Sequence, residues 1–435
     1  MTDASSADAI VVGAGVMGSA IALELARAGR SVVVVDKSGG AGFGSTSASS
    51  AIIRFTYSTF EGVALAWESY HRWLDWPHHL GAADGDGLAR FHRVGMVALD
   101  VPLMPRHRMT DLLARVGVPY EDWDADEVAQ RIPGIDVGSW WPPKPVTSPE
   151  FLDGPDGRLG AVFTPDAGYV DDPRLAAANL ADAATRAGAS FRFRRTVIGA
   201  QHRDGAWEVD LDDGASLRAP VVVNAAGPWS GALNRMVGAD SDFTIGLRPL
   251  RQEVHVVPAP APLRDAGTFP ALSDMDLGTY SRPAPGGMLL VGGTEPECDP
   301  MQWLDEPDDA VPGATTELFE AQVLRAARRY PDLEIPLRPS GIAGVYDVSD
   351  DWIPVYDRTS LPGFYVAAGT SGNQFKNAPV VGELMAALID ACESGHDHDA
   401  EPVRFDCRAT GLQLDLGTFS RRRERNPDSS GTVMG

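Results

Sequence analysis

The sequence predicts an α/β protein with a second lobe built on a mainly antiparallel sheet. Three observations carry that prediction. The chain opens on Asp8 to Asp36, DAIVVGAGVMGSAIALELARAGRSVVVVD: an apolar run, a glycine turn, a helical pattern and a second apolar run closed by an acid. Two later apolar runs, ending at Asn224 and Ala368, also close in glycine turns. Between them, Leu250 to Val257, Gly278 to Pro283 and Met288 to Gly292 read as strands of a second sheet.

Each part of the opening unit has a physical task. Gly13 makes the tight turn, Gly15 lets a pyrophosphate approach the backbone, and Gly18 lets the helix pack close to the strand. The helix N-terminus offers free N–H groups and the positive end of its dipole to phosphates. Asp36 stands where an acid accepts hydrogen bonds from an adenosine ribose. The unit therefore reads as dinucleotide-binding. An acid at 36 without an Arg directly after Val35 favours NAD or FAD over NADP.

Ser38 to Ser50, SGGAGFGSTSASS, can be a flexible linker or a loop that lays N–H and hydroxyl groups along a cofactor. Beside a dinucleotide unit the second reading is favoured. Glu61 to Trp76 predicts a helix stopped by Pro77, with Trp73 and Trp76 on one face as core residues. Met109 to Val116 and Asp124 to Ile132 predict short helices, the second opened by a capping box of Asp124 and Glu127. Ser139 to Pro155 reads as a loop, and an Ala-rich helix follows Asp171-Asp172-Pro173.

Ser190 to Val197, Ala206 to Leu211 and Ser216 to Asn224 predict three strands. Glu317 to Tyr330 predicts a helix, Gly341 to Tyr346 and Gly363 to Ala368 strands, and Pro379 to Ala391 a helix. From Arg408 the chain turns polar and carries Arg421-Arg422-Arg423, which predicts a mobile tail over 408–435.

Composition bounds the function. With 435 residues, 44% hydrophobic and 22% charged, the chain fits an ordinary globular protein of two domains or one body with an inserted lobe. A formal charge of −23 disfavours nucleic acid, which needs clustered Lys and Arg. Cys298, Cys392 and Cys407 are far apart and without ligand spacing, so neither a disulfide framework nor a metal site is expected. The polar start MTDASSAD leads directly into the first strand, and glycines and Glu24 interrupt Val11 to Leu25. Neither a leader nor a membrane span is expected, and a cytoplasmic setting is.

Two segments decide between NAD and FAD. VVVNAAGPW (221–229) and VAAGTSGNQFK (366–376) each bring a strand end and glycine backbone toward a ligand, which suggests a long cofactor across a discontinuous domain. Together with SSAIIRFTY (49–57), DAGYVDDPR (166–174), RPLRQ (248–252), YSRPAPGGMLLVGG (280–293), DDWIPV (350–355) and GTSGNQFKNAPVVGE (369–383), these segments resemble the D-amino-acid oxidase superfamily of flavoproteins. The nearest resemblance is to the monomeric sarcosine oxidase and N-methyltryptophan oxidase branch.

The resemblance implies a discontinuous Rossmann-like FAD-binding domain over 1–90, 155–240 and 340–400, with an α+β substrate domain over 91–154 and 241–339. It implies hydride transfer from the C–H beside an amine nitrogen to flavin N5, imine hydrolysis, and reoxidation of the flavin by oxygen to give H2O2. Arg54 is implied as the carboxylate anchor, Tyr280 and Tyr346 as pocket walls, and Lys376 as the cation that assists oxygen beside N5. The implied cofactor-binding set is Gly13, Gly15, Val16, Met17, Gly18, Asp36, Lys37, Ser45, Thr46, Ser50, Val197, Ala226, Gly227, Trp229, Gly344, Gly372, Asn373, Gln374, Phe375 and Lys376.

Where the branch often places a flavin-linking Cys, this chain has Gly344, so noncovalent FAD is expected. Ala51, Gly293, Asn373 and Gln374 also depart from the familiar pattern. They leave open a larger amine-bearing acid, such as a biosynthetic intermediate, in place of a small N-methyl amino acid. Two other readings stay open: a dehydrogenase of the same fold that passes electrons to a carrier, and an oxidase of 2-hydroxy acids or other alcohols. The expected partners are a small amine or amino acid and molecular oxygen, with the chain a monomer or homodimer.

Overall fold

The structure, a computed structural model, describes residues 5–83 and 87–435. Residues 1–4 of the polar start lie outside the described residues.

Among the described residues a six-stranded sheet runs in the order Ser190–Phe193, Val32–Asp36, Ala9–Val12, Val221–Asn224, Phe364–Ala368 and Val355–Arg358. The first five strands are parallel and the last is antiparallel. Runs such as VVVV suit this place because a parallel sheet is covered on both faces. Val11, Val34 and Val223 point toward the helices Val16–Arg27, Pro173–Arg186 and Ala378–Glu393. Ile10, Val33 and Val222 point the other way, onto Trp207, Val209 and Leu217 of a smaller four-stranded sheet.

A nine-stranded sheet, again among the described residues, centres on the long strand Leu247–Pro258, flanked by Met288–Gly293 and Gly341–Ser349. Its pairings are antiparallel except that of Ala271–Asp274 with Met96–Leu99. Strand alternation gives the sheet two faces. Val97, Val257 and Val291 bury against Phe319 and Val323 of helix Thr316–Arg329. Met96, Leu250 and Tyr280, on the opposite face, join the core cluster that also holds the helices of the parallel sheet.

Two sequence expectations change in detail. Ser216 to Asn224 is two strands, Ser216–Ala219 in the four-stranded sheet and Val221–Asn224 in the six-stranded one. Pro220 sits at the switch, where a residue without an N–H loses nothing to a ladder. The helix Phe60–Leu74 ends before Pro77, which lies instead in the first turn of a second helix, Trp76–Leu80. Trp73 and Trp76 still stack, with ring centroids 4.3 Å apart, and both are buried. The Asp124 capping box forms over Ala125–Arg131.

The largest difference is the end of the chain, which packs rather than projecting. Leu416, Phe419 and Arg421 are buried, and so are Thr432, Val433 and Met434. Arg421 meets Asp242 at 2.6 Å, Asp399 at 2.8 Å and Asp357 at 3.0 Å, and Arg423 meets Asp351 at 2.7 Å. The arginine run reads as a solvated tail only because its carboxylate partners are distant in sequence.

Candidate active site

A long cleft opens where the strands of the parallel sheet end. Gly13 turns the chain at φ 107°, and a Cβ there would lie 2.2 Å from the Ala225 carbonyl oxygen. A Cβ at Gly18 would lie 1.9 Å from the Gly13 oxygen, so Gly18 sets the approach of helix to turn and does not itself line the cleft. The helix Val16–Arg27 starts at Gly15 with no side-chain cap and no acid in its first turn. The Val16 N–H donates to Thr46 Oγ1 at 3.1 Å, which ties the loop Gly44–Ser50 to the helix start.

Asp36 closes the neighbouring strand. Its Oδ2 accepts from the Ala14 N–H and its Oδ1 from the Ser38 N–H, both at 2.7 Å. The carboxylate thus braces the glycine turn while still lining the cleft. Lys37 lies 3.8 Å from the Trp229 ring centroid and 2.8 Å from Asp308, and Trp229 Nε1 donates to the same carboxylate at 3.1 Å. Lys37 donates a hydrogen bond to Asp308 and, with Trp229, holds its carboxyl below the usual range.

Gly13, Gly15, Val16, Met17, Ser45, Thr46, Ser50, Val197, Ala226 and Gly227 line the cleft with Asp36, Lys37 and Trp229. Gly372, Gln374, Phe375 and Tyr346 form its other end. Gly372 sits at φ 68°, and a Cβ there would strike the Tyr346 ring at 2.4 Å. Gly344 is behind the wall, where a Cβ would lie 2.7 Å from Ala48 Cβ. Sequence reasoning missed Arg195, Thr196, Leu233, Met236 and Asp308 as lining residues. Thr196 adjoins Val197 and could have been found, whereas Asp308 arrives from a distant loop with no motif around it.

A second, smaller pocket adjoins the cleft and shares Ser49, Ser50, Gly372 and Phe375 with it. It gathers Arg54, Tyr280, Asn373 and Lys376. Lys376 Nζ donates to Tyr57 Oη at 2.9 Å and also to the Asn373 carbonyl. Its own carbonyl accepts from Trp73 Nε1 at 2.7 Å. Burial, and then the Arg54 charge, hold the Lys376 amine well below its ordinary value. Burial also pushes Tyr57 up to about 12.

Arg54 is 5% exposed. Its guanidinium donates to the Thr56 carbonyl, to Thr56 Oγ1 at 3.1 Å and to the Val433 carbonyl at 2.6 Å. Burial lowers its affinity for the proton. Tyr280 lies beside Ser50 and Tyr346, and burial raises both phenols. A Cβ at Gly292 would reach 2.3 Å from the Tyr280 ring, so that glycine makes room for the phenol.

Glu295 went unmarked in the sequence. It is a lone acid after Gly292-Gly293-Thr294, with no spacing to single it out. The fold buries it at φ 50°, where burial pushes its carboxyl up to about 8. Its Oε1 accepts from Gln252 Nε2 at 2.9 Å and its Oε2 from the Val433 N–H at 2.8 Å. Cys298, Cys392 and Cys407 are free thiols and line neither pocket. Among the described residues no helix is long and apolar enough to cross a membrane.

The family model DAO, FAD dependent oxidoreductase, matches residues 8–388. Glycine oxidase of Geobacillus kaustophilus is 27% identical over 399 residues, 90% of this chain and 94% of that protein. Peroxisomal sarcosine oxidase of Homo sapiens is 26% identical over 420 residues, 92% of this chain and 95% of that one. Among solved structures, L-proline dehydrogenase from P. horikoshii shares the fold with a TM-score of 0.75 at 21% identity, covering 97% of this chain and 98% of that chain.

FAD fits the long cleft on two observations. Gly15, Val16 and Met17 at the start of helix Val16–Arg27 line the cleft with no acid in the first turn, so the positive end of the helix is open to a pyrophosphate. One continuous cleft joins Asp36 and Val197 to Gly372 and Tyr346, as a dinucleotide with a distant reactive ring requires.

Proposed function

Because the chain belongs to the FAD dependent oxidoreductase family, we propose that it oxidises an amine-bearing carboxylic acid at the C–H beside nitrogen, giving an imine that water hydrolyses. Bound FAD supplies a hydride acceptor at N5 and passes the electrons on to oxygen, forming H2O2. The observation that carries the reading is the junction of the two pockets. Arg54, Tyr280 and Lys376 converge in a buried space that shares Ser49, Ser50, Gly372 and Phe375 with the cofactor cleft.

The chain's own residues divide the work. Arg54 offers paired N–H donors to the carboxylate from a desolvated position, where a charge-assisted bond is strong. Tyr280 walls the pocket and orients the amine end, while Tyr346 lines the adjoining end of the cofactor cleft. Asp36 takes the ribose, the Gly13–Met17 turn takes the pyrophosphate, and Val197 meets the adenine. Ser45, Thr46 and Ser50 follow the cofactor chain, and Gly372 to Lys376 pass beside its ring. FAD is held noncovalently, since none of the cysteines lines either pocket.

Lys376 also favours a second reading. Its amine is held well below its ordinary value by burial and by Arg54, so it gives up its charge more readily than a free lysine. A weak cation beside the ring suits a dehydrogenase that hands electrons to a carrier. The direct test incubates the FAD-loaded protein with glycine, sarcosine, L-proline and the matching 2-hydroxy acids. Trapping the carbonyl product and measuring peroxide separates the outcomes. Product from amines with equimolar peroxide supports the oxidase. Product only with an added electron acceptor supports the dehydrogenase, and product only from hydroxy acids defeats both.

A further inference from the structure

Both main-chain polar groups of one residue, Val433, are bound by buried side chains: Val433 and Arg54 line the candidate substrate pocket, and Glu295 stands behind Val433. The Val433 carbonyl accepts from Arg54 at 2.6 Å, and its N–H donates to Glu295 Oε2 at 2.8 Å. Met434 follows it inward, 2% exposed, and its Sδ accepts from Ser273 Oγ at 3.5 Å. A tight turn holds the segment in shape: the Met434 N–H donates to Thr432 Oγ1 and the Gly435 N–H to the Thr432 carbonyl, both at 3.0 Å.

The spacing has chemical meaning. In a peptide residue the N–H donor and the carbonyl acceptor are separated by one Cα. A free α-amino acid presents its amine donors and carboxylate acceptors across the same single carbon. A site that holds Val433 by a guanidinium at one end and a carboxyl at the other is therefore shaped for that pair of groups.

We propose that Thr432–Gly435 is a built-in occupant of the substrate site, and that an α-amino acid displaces it by taking Arg54 with its carboxylate and Glu295 with its amine. The proposal rests on the amino-acid reading of the site given above. It adds Glu295 as the residue that selects for an amine, and the Thr432–Gly435 segment as a competitor.

The surroundings support exchange of one occupant for the other. Arg54 and Glu295 are deeply buried; Thr56 and Gln252 satisfy part of each, and the atoms that meet Val433 would be costly to leave unpaired. The segment supplies those partners until substrate does. Upstream, the chain is fixed by Arg421 and Arg423 on their aspartates and by Asn426 Nδ2 on Ser58 Oγ at 3.0 Å. Between that anchor and Thr432 lies Pro427-Asp428-Ser429-Ser430-Gly431, a short polar stretch with Gly431 at φ 65°. An occupant tethered so closely has a high effective concentration, and it raises the substrate concentration needed for half-saturation.

The test uses the full-length, FAD-loaded protein, a Val433→Pro variant that lacks the N–H given to Glu295, and a chain ended after Gly431. Glycine, sarcosine and L-proline are the probes, with acetate as a carboxylate that has no amine. The expected result is a half-saturating probe concentration lower by about tenfold in both variants. In the wild type, deuterium exchange at the Val433 and Met434 amides should accelerate with the amino acids and less with acetate. Unchanged exchange with all probes and unchanged or raised half-saturation overturns the proposal. If the shortened chain fails to fold, Val433→Pro and the exchange data decide alone. Tail release without flavin reduction would sink the oxidation reading and keep this one. Flavin reduction with an unresponsive tail would do the reverse.

Discussion

Lys376 Nζ donates a 2.9 Å hydrogen bond to Tyr57 Oη beside the second pocket, with Lys376 buried and Tyr57 half-buried. The pair ties the glycine turn after strand Phe364–Ala368 to the chain just after Arg54. It places a titratable amine where the two pockets meet. Burial first, and Arg54 second, hold that amine well below its ordinary value, so its charge is present at low pH and is lost as pH rises through the lowered value.

Replacing Lys376 should therefore separate the two half-reactions. Lys376→Met should slow reoxidation by oxygen by about 100-fold and change anaerobic reduction by an amine much less. In the wild type the oxygen step should weaken as pH rises, and the variant should show no such slope. Stopped-flow mixing of reduced protein with air-saturated buffer across pH checks both. A variant that reoxidises like wild type would remove Lys376 from the oxygen step.

Arg54→Ala should raise KM for an amino acid by about 10- to 100-fold, because a charge-assisted bond in a desolvated site is lost. The same change should have little effect on KM for an amine that lacks a carboxylate. Steady-state kinetics with sarcosine and dimethylamine check this, and equal effects on both would place Arg54 in structure rather than in recognition.

Glu295 predicts a pH dependence of stability. Burial pushes its carboxyl from 4.5 up to about 8, so the folded chain keeps a proton that the unfolded chain releases. The stability tied to that proton is full below the unfolded value and is lost as pH rises toward about 8. Glu295→Gln should remove the slope. Thermal melts between about pH 5 and about pH 9 should show the wild type falling relative to the variant, and parallel curves would contradict the burial argument.

Arg421→Ala should destabilise by about 3–5 kcal/mol, because it leaves buried Asp357 without its cation. Denaturant titration measures it. A loss below about 1 kcal/mol would mean that the end of the chain is not held as the structure shows.

The sequence is easiest to read where function constrains consecutive residues. Gly13, Gly15, Gly18 and Asp36 mark a strand, turn, helix and strand because each spacing answers one contact in the turn. Arg54 and Lys376 came from resemblance, since neither stands in a spacing that announces chemistry. Ser216 to Asn224 reads as one strand because periodicity does not see which sheet a residue joins, and only Pro220 hints at the switch. Glu295 and the Arg421 cluster were not legible, as their partners lie in separate segments, Val433 being 138 positions from Glu295 and Asp242 179 from Arg421. Their importance comes from burial and pairing, which a local pattern does not encode.

The central claim is that the joined pockets oxidise an acid through its amine, and an anaerobic titration of the FAD-loaded protein tests it most directly. Glycine, sarcosine, L-proline and the corresponding 2-hydroxy acids are added in turn while the flavin absorbance is followed, and air is then admitted. The account predicts bleaching by at least one amine-bearing acid, none by the hydroxy acids, and recovery of colour in air. Bleaching by hydroxy acids alone, or by none of the set, would contradict it.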